Sequence, residues 1–141
     1  MIILDTNVVS EPLRPLPDQN VLAWLDRQAP ETLYLTTITV AELWAGVAQL
    51  PAGKRRTQLQ QAMTGSLLPL FEGRLLEFGA DAAATFGALH AKAKAAGNSM
   101  DFADCAIAAI ASTHRFMVAT RNLKDFAGTG VRVTNPWEAG A

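Results

Sequence analysis

Apolar residues along this chain follow two rhythms, short continuous runs and longer stretches at helical spacing, and the two alternate. Ile2-Ile3-Leu4 stops at Asp5, as a buried strand does. Leu33-Tyr34-Leu35-Thr36, Leu75-Leu76-Glu77-Phe78, Phe116-Met117-Val118-Ala119 and Val131-Arg132-Val133 read as four further strands, containing the branched and aromatic residues that suit a pleated surface. Between them, a short helix capped by Asn7 ends before the prolines at 12, 15 and 17. A second spans about Asp18 to Gln28, with Val21, Leu22 and Leu25 on one face. Thr39 opens a third, carrying Val40, Leu43, Trp44 and Val47 until Pro51 ends it. Further helices are predicted over Ala52–Leu68, Ala80–Ala96 and Ser99–Thr113, the last two separated by Gly97-Asn98. Strands alternating with helices predict an α/β fold in which a mainly parallel sheet lies between two helical layers.

Composition narrows the class. The 141 residues are 50% hydrophobic and 18% charged, which suits one well-buried domain spanning 1–141. No apolar run reaches the ~18 residues that cross a bilayer. The first residues lack a basic segment, so no signal peptide is expected. Cys105 is the only cysteine, excluding an internal disulfide and a cysteine-based zinc site. His90 and His114 are too few for a histidine-rich centre. A reduced, cytoplasmic protein is the expectation. With a net charge of −1, nucleic acid would have to be met through local patches. Lys54-Arg55-Arg56, Lys92 with Lys94, and Arg115, Arg121, Lys124 and Arg132 are the choices, although a solvated face explains each alone.

The carboxylates carry the candidate chemistry. In open parallel sheets, function gathers at the carboxyl ends of strands, where Asp5 and Thr120-Arg121-Asn122 stand. Asp5 could cap a helix, but Asn7 could do so alone, leaving Asp5 without a structural task. Glu42 completes a capping box with Thr39, and on spacing alone that role suffices. Asp101 complements the dipole of the following helix. Asp104 lies further in, at the head of the apolar run Cys105 to Ala111, with no cation within one turn. A buried carboxylate there needs a partner, and a metal ion would serve. Hard divalent cations take oxygen ligands, so Asp5, Glu42 and Asp104 together could hold Mg²⁺ or Mn²⁺.

Five segments, in this order and spacing, resemble the PIN-domain family and within it the VapC-type toxins. They are Ile2-Ile3-Leu4-Asp5-Thr6-Asn7, Thr39-Val40-Ala41-Glu42-Leu43, Asp104-Cys105-Ala106-Ile107-Ala108-Ala109, Ala119-Thr120-Arg121-Asn122-Leu123-Lys124-Asp125-Phe126 and Asn135-Pro136-Trp137. The resemblance implies a three-layer α/β/α fold, Mg²⁺ or Mn²⁺ on acidic residues, and cleavage of single-stranded RNA. Asp5, Glu42 and Asp104 match the family's principal acids, which moves Glu42 from a structural to a functional reading. Many members carry a fourth acid where this chain has Asn122, so a second metal would be held less tightly. Thr6 and Thr120 are placed to orient ligands or water, and Arg121 to meet a phosphate or serve the loop structurally. A toxin of this type implies a cognate antitoxin, and a homodimer or hetero-oligomer with it. The region of Trp24, Leu43, Trp44 and Leu50 is a docking surface or, residue by residue, core.

Two other functions compete. A phosphatase using Asp5 as nucleophile would need an acid two residues later, where Asn7 stands. A catalytically silent module that binds RNA or protein on the same fold is favoured by Asn122 and opposed by three intact acids.

Overall fold

Each predicted strand presents alternate side chains to opposite faces, and both faces find an apolar layer. In the computed structural model, which describes residues 1–141, β1 is Ile2–Leu4, β2 Leu33–Thr36, β3 Leu75–Leu76, β4 Met117–Ala119 and β5 Val133–Thr134. They pair in the order β3-β2-β1-β4-β5, every pair parallel. Ile3 lies between Tyr34 and Val118, and these three face one layer. Leu4, Leu35 and Ala119 face the other.

Helices fill both layers. On the Leu4 side lie α1 (Thr6–Ser10), α2 (Gln19–Arg27), α3 (Thr37–Ala48), α4 (Lys54–Ala62) and the single turn α5 (Leu68–Leu70). Val8, Val21, Trp24, Leu43 and Val47 supply their apolar contacts. On the Ile3 side lie α6 (Ala80–Ala95) and α7 (Phe102–His114). Residues Cys105 to Ala111 of α7 are each 0% exposed, so this helix is enclosed on all sides, as its unbroken apolar run predicts. Mostly small side chains there let it approach both β4 and α6 closely. The three-layer α/β/α fold is the expected one, with a sheet that is parallel throughout.

Several boundaries differ from those predicted. Asp5, not Asn7, caps α1: its Oδ1 accepts from the Thr6 N–H at 2.8 Å, while Asn7 Oδ1 accepts from the Arg121 N–H at 3.3 Å. A 3₁₀ turn over Glu11–Leu13 continues α1 and admits Pro12 in its first turn, where a missing N–H costs nothing. Thr36, not Thr39, caps α3, accepting from the Thr39 N–H at 3.2 Å, so the Thr39–Glu42 capping box does not form. The helix expected over Ala52–Leu68 widens after α4 into a π-helical stretch, Met63–Leu67, where Thr64-Gly65-Ser66 weakly favour regular helix. Phe78 leaves β3 to pack edge-on against Phe86 and Phe102, with ring centroids 5.8 and 5.9 Å away. Pairing with Val118 and Ala119 places β5 at Val133–Thr134. Asp101 caps α7, which therefore begins at Phe102 and not near Ser99.

Candidate active site

The strand order positions the chemistry. From β1 the chain builds β2 and β3 outward on one side, then returns to place β4 on the other, so the connections diverge at the carboxyl ends of β1 and β4. Such a divergence opens a crevice. Asp5 and Thr120 are the first residues beyond those two strands. The Asp5 N–H donates to the Ala119 carbonyl at 2.9 Å, and the Thr120 hydroxyl donates to Asp5 Oδ2 at 2.7 Å. Thr120 Oγ1 also accepts from the Asn122 N–H at 3.1 Å, so its direction is held from both sides.

Asp5 is 5% exposed. Burial pushes its carboxyl above the usual range; the bonds from Thr120 and Thr6 oppose that, and the charges of Glu42 and Asp101 add to it. Glu42 comes from α3 and is exposed, with its Oε1 accepting from the Thr6 hydroxyl at 2.6 Å. The Thr6 and Thr39 hydroxyls are 3.1 Å apart. Thr6 has one proton and gives it to Glu42, so buried Thr39 must donate to Thr6. A chain of hydroxyls thus leads from the core to Glu42.

Asp104 enters from the first turn of α7. Its pKa is pushed up to about 7, first by burial and then by the charges of Asp101, Asp5, Asp125 and Glu42. The chain has one ion pair, Arg14 with Glu11, so no cation comes within 4.0 Å of Asp5, Glu42 or Asp104. Carboxylates from β1, α3 and α7 therefore share one electrostatic neighbourhood without neutralisation. No three of them close on a common point as a metal cage. An all-oxygen set this open fits an ion that takes one or two carboxylates and completes its shell with water, as Mg²⁺ does.

The other expected residues are more dispersed. Asn122 is exposed and lines a pocket of about 260 Å³ with Arg121, Lys124 and Asp125. The Arg121 guanidinium lies 5.1 Å from the Trp137 ring centroid, a cation–π contact that gives it a structural role in this loop. Trp24 and Leu43 are core, and Trp44 packs against it. Sequence reasoning set Asp101 aside as a helix-dipole acid and Asp125 as a structural part of its motif, although both charges act on Asp104. It read Thr39 as a cap, although its hydroxyl lies beneath the group, beside that of Thr6. The one available signal was Thr39 itself, a hydroxyl on the apolar face of α3.

These features define a class: three-layer parallel α/β proteins with carboxylates gathered at the divergence point of the sheet. The chain belongs to the PIN-domain family, whose model matches residues 2–130. It is 51% identical over 138 residues to VapC ribonuclease Y4jK of Sinorhizobium fredii, covering 98% of this chain and 99% of that protein. It is 48% identical over 137 residues to Toxin FitB of Neisseria gonorrhoeae, covering 97% and 99%. The structure of FitAB bound to an IR36 DNA fragment contains a chain that matches it with a TM-score of 0.96 at 47% identity, covering 100% of this chain and 99% of that one. No helix is long and apolar enough to cross a membrane.

Proposed function

We propose that this chain is a divalent-metal-dependent endoribonuclease and the toxin of a toxin–antitoxin pair, acting as a single domain over residues 1–141. The observation that carries this reading is the group of carboxylates from the end of β1, α3 and α7, in which burial and neighbouring charges raise the proton affinity of Asp5 and Asp104 and which has no cationic partner. Its near full-length similarity to a VapC ribonuclease and to the toxin FitB supports the same assignment.

Asp5, Glu42 and Asp104 would hold Mg²⁺ or Mn²⁺, which supplies Lewis acidity to make water nucleophilic and to stabilise the leaving oxygen of a phosphodiester. Thr120 orients Asp5 through Oδ2, and Thr6 orients Glu42 through Oε1. In the metal-free protein Asp104 holds a proton near neutral pH, so cation uptake there releases it. The partners are single-stranded RNA and a cognate antitoxin, in a homodimer or hetero-oligomer like the FitAB assembly. Buried, unpaired Cys105, its thiol pushed up by burial, suits a reducing cytoplasm.

A labelled, structured RNA pool tests the reading, with purified protein in Mn²⁺ beside EDTA and Asp104→Asn controls. Metal-dependent cleavage should fall on the order of 10²–10³-fold or more in Asp104→Asn, with the fold retained by circular dichroism. Full activity in that variant would remove Asp104 from the site. The absence of both cleavage and Mn²⁺ binding in the wild type would establish the silent binding module, the reading that Asn122 favours.

A further inference from the structure

Gly46 stands in the interior of α3, where glycine is destabilising relative to alanine. Neither usual excuse applies: its φ is outside the left-handed region, and a Cβ built there meets nothing within 4 Å. Its position offers a different reason. Gly46 follows Glu42 by four residues, so both lie on one helical face, and both line a pocket of about 310 Å³ that also includes Thr6. The glycine leaves bare backbone on the pocket wall one turn from a candidate metal ligand.

The same pocket holds two arginines in different states. Arg14 is committed to buried Glu11 through contacts of 2.9 and 3.2 Å. Arg55 has no carboxylate within 4.0 Å. Its Nη2 donates to the Leu13 carbonyl at 2.8 Å, which fixes the guanidinium beside the pocket and leaves its charge unneutralised. Leu59 from α4 and Met63 from the π-helical stretch add an apolar surface. One unpaired cation, an apolar wall and an adjoining acidic group are the features that bind a nucleotide: phosphate to the guanidinium, base or sugar to the wall. The volume lies at the lower end of the ~300–1,000 Å³ typical of ligand pockets, enough for a single unit and not for a folded segment.

We propose that this pocket is a subsite for one nucleotide of single-stranded RNA next to the scissile phosphate, with Arg55 on its phosphodiester and Gly46 keeping the wall bare. The assignment rests on the nuclease reading. Arg55 acts here in binding and Gly46 in shape; neither handles the reacting atoms.

The test measures anisotropy of a fluorescein-labelled 12-nucleotide single-stranded RNA in Ca²⁺ buffer over a salt series, together with KM and kcat in Mn²⁺. Arg55→Ala should weaken binding and reduce the slope of log affinity against log salt by about 0.7, the value for one phosphate contact on a single strand. Arg55→Lys should restore most of that slope. Gly46→Ala should melt at or above wild type, showing that the helix tolerates a side chain. Gly46→Leu should raise KM about tenfold and change kcat much less, as loss of uniform binding does. Wild-type affinity and salt slope in both Arg55→Ala and Gly46→Leu would overturn the subsite, and an intact Asp104→Asn effect would leave the nuclease reading standing. Normal RNA binding with lost antitoxin binding would equally overturn it and give the pocket to the protein partner. If the wild type neither cleaves RNA nor binds Mn²⁺, the nuclease reading fails, and unchanged RNA affinity in the variants overturns the subsite as well.

Discussion

The two apolar layers of this protein are built on opposite plans. Between the sheet and α7 the side chains are mostly alanine and isoleucine, fully buried from Cys105 to Ala111. The opposite layer uses large side chains, Trp24, Met63 and Phe71 among them, and cavities of about 310 and 270 Å³ open between its helices. On the α7 side, a cavity of about 530 Å³ opens beyond the helix's final turns, around Ser112, Arg115 and Arg132. A close-packed interior resists displacement, because any shift loses contacts on all sides. The α7 layer therefore acts as a mount that holds Asp104 against its charged neighbours, while the other layer leaves room beside Glu42. The two plans meet at the ends of β1 and β4, where Asp5 and Thr120 join acids that neither layer could assemble alone.

Truncation should separate the two layers most strongly. Ile107→Ala, in the close-packed layer, should cost about 4 kcal/mol, and Met63→Ala, which already borders a cavity, about 2 kcal/mol. Urea unfolding midpoints measure both, and equal costs would erase the distinction. At the junction, Thr120→Val removes the hydrogen bond that lowers the Asp5 pKa and leaves the Asn122 N–H without its acceptor. A loss of about 1.5–3 kcal/mol is expected for a bond to a charged group. The acid limb of the cleavage profile should also move to higher pH, because Asp5 would ionise later. An unmoved limb would separate Asp5 from the titrating step.

A further effect concerns Asp104 in metal-free protein. Its folded pKa of about 7 exceeds the ordinary 3.8, so the folded chain binds this proton more tightly than the unfolded one. The associated stability is complete below 3.8 and is lost as pH rises through 7. Metal-free protein should thus melt lower at pH 8 than at pH 5, and Asp104→Asn should flatten that difference. Added Mn²⁺ should raise the melting temperature at pH 8 by linkage. A wild-type profile in EDTA that does not differ from that of Asp104→Asn would mean that Asp104 carries no such strain.

Strand positions were legible to within a few residues, because each short apolar run has two faces to fill. Helix starts were less so. Candidate caps crowd together at Asp5 and Asn7, at Thr36 and Thr39, and at Ser99 and Asp101, and local chemistry allows any of them. Strand pairing decides among the first two sets: Asp5 follows directly on β1, and Thr36 is held extended opposite Leu76, so each helix begins one residue beyond. That choice freed Glu42 from the capping box that explained it. Asp101 and Asp125 looked like local fittings, yet both charges raise the Asp104 pKa, and Asp101 also raises that of Asp5, a neighbour only in space.

By itself, the sequence determined the order of elements, the two-sided burial of the strands and the identity of the acids available, since periodicity and chemical type are local properties. Which acids would meet was decided by the tertiary structure. Placing β4 beside β1 brings residue 120 to residue 5, a pairing that no local pattern encodes and that only the packing of the whole sheet can select.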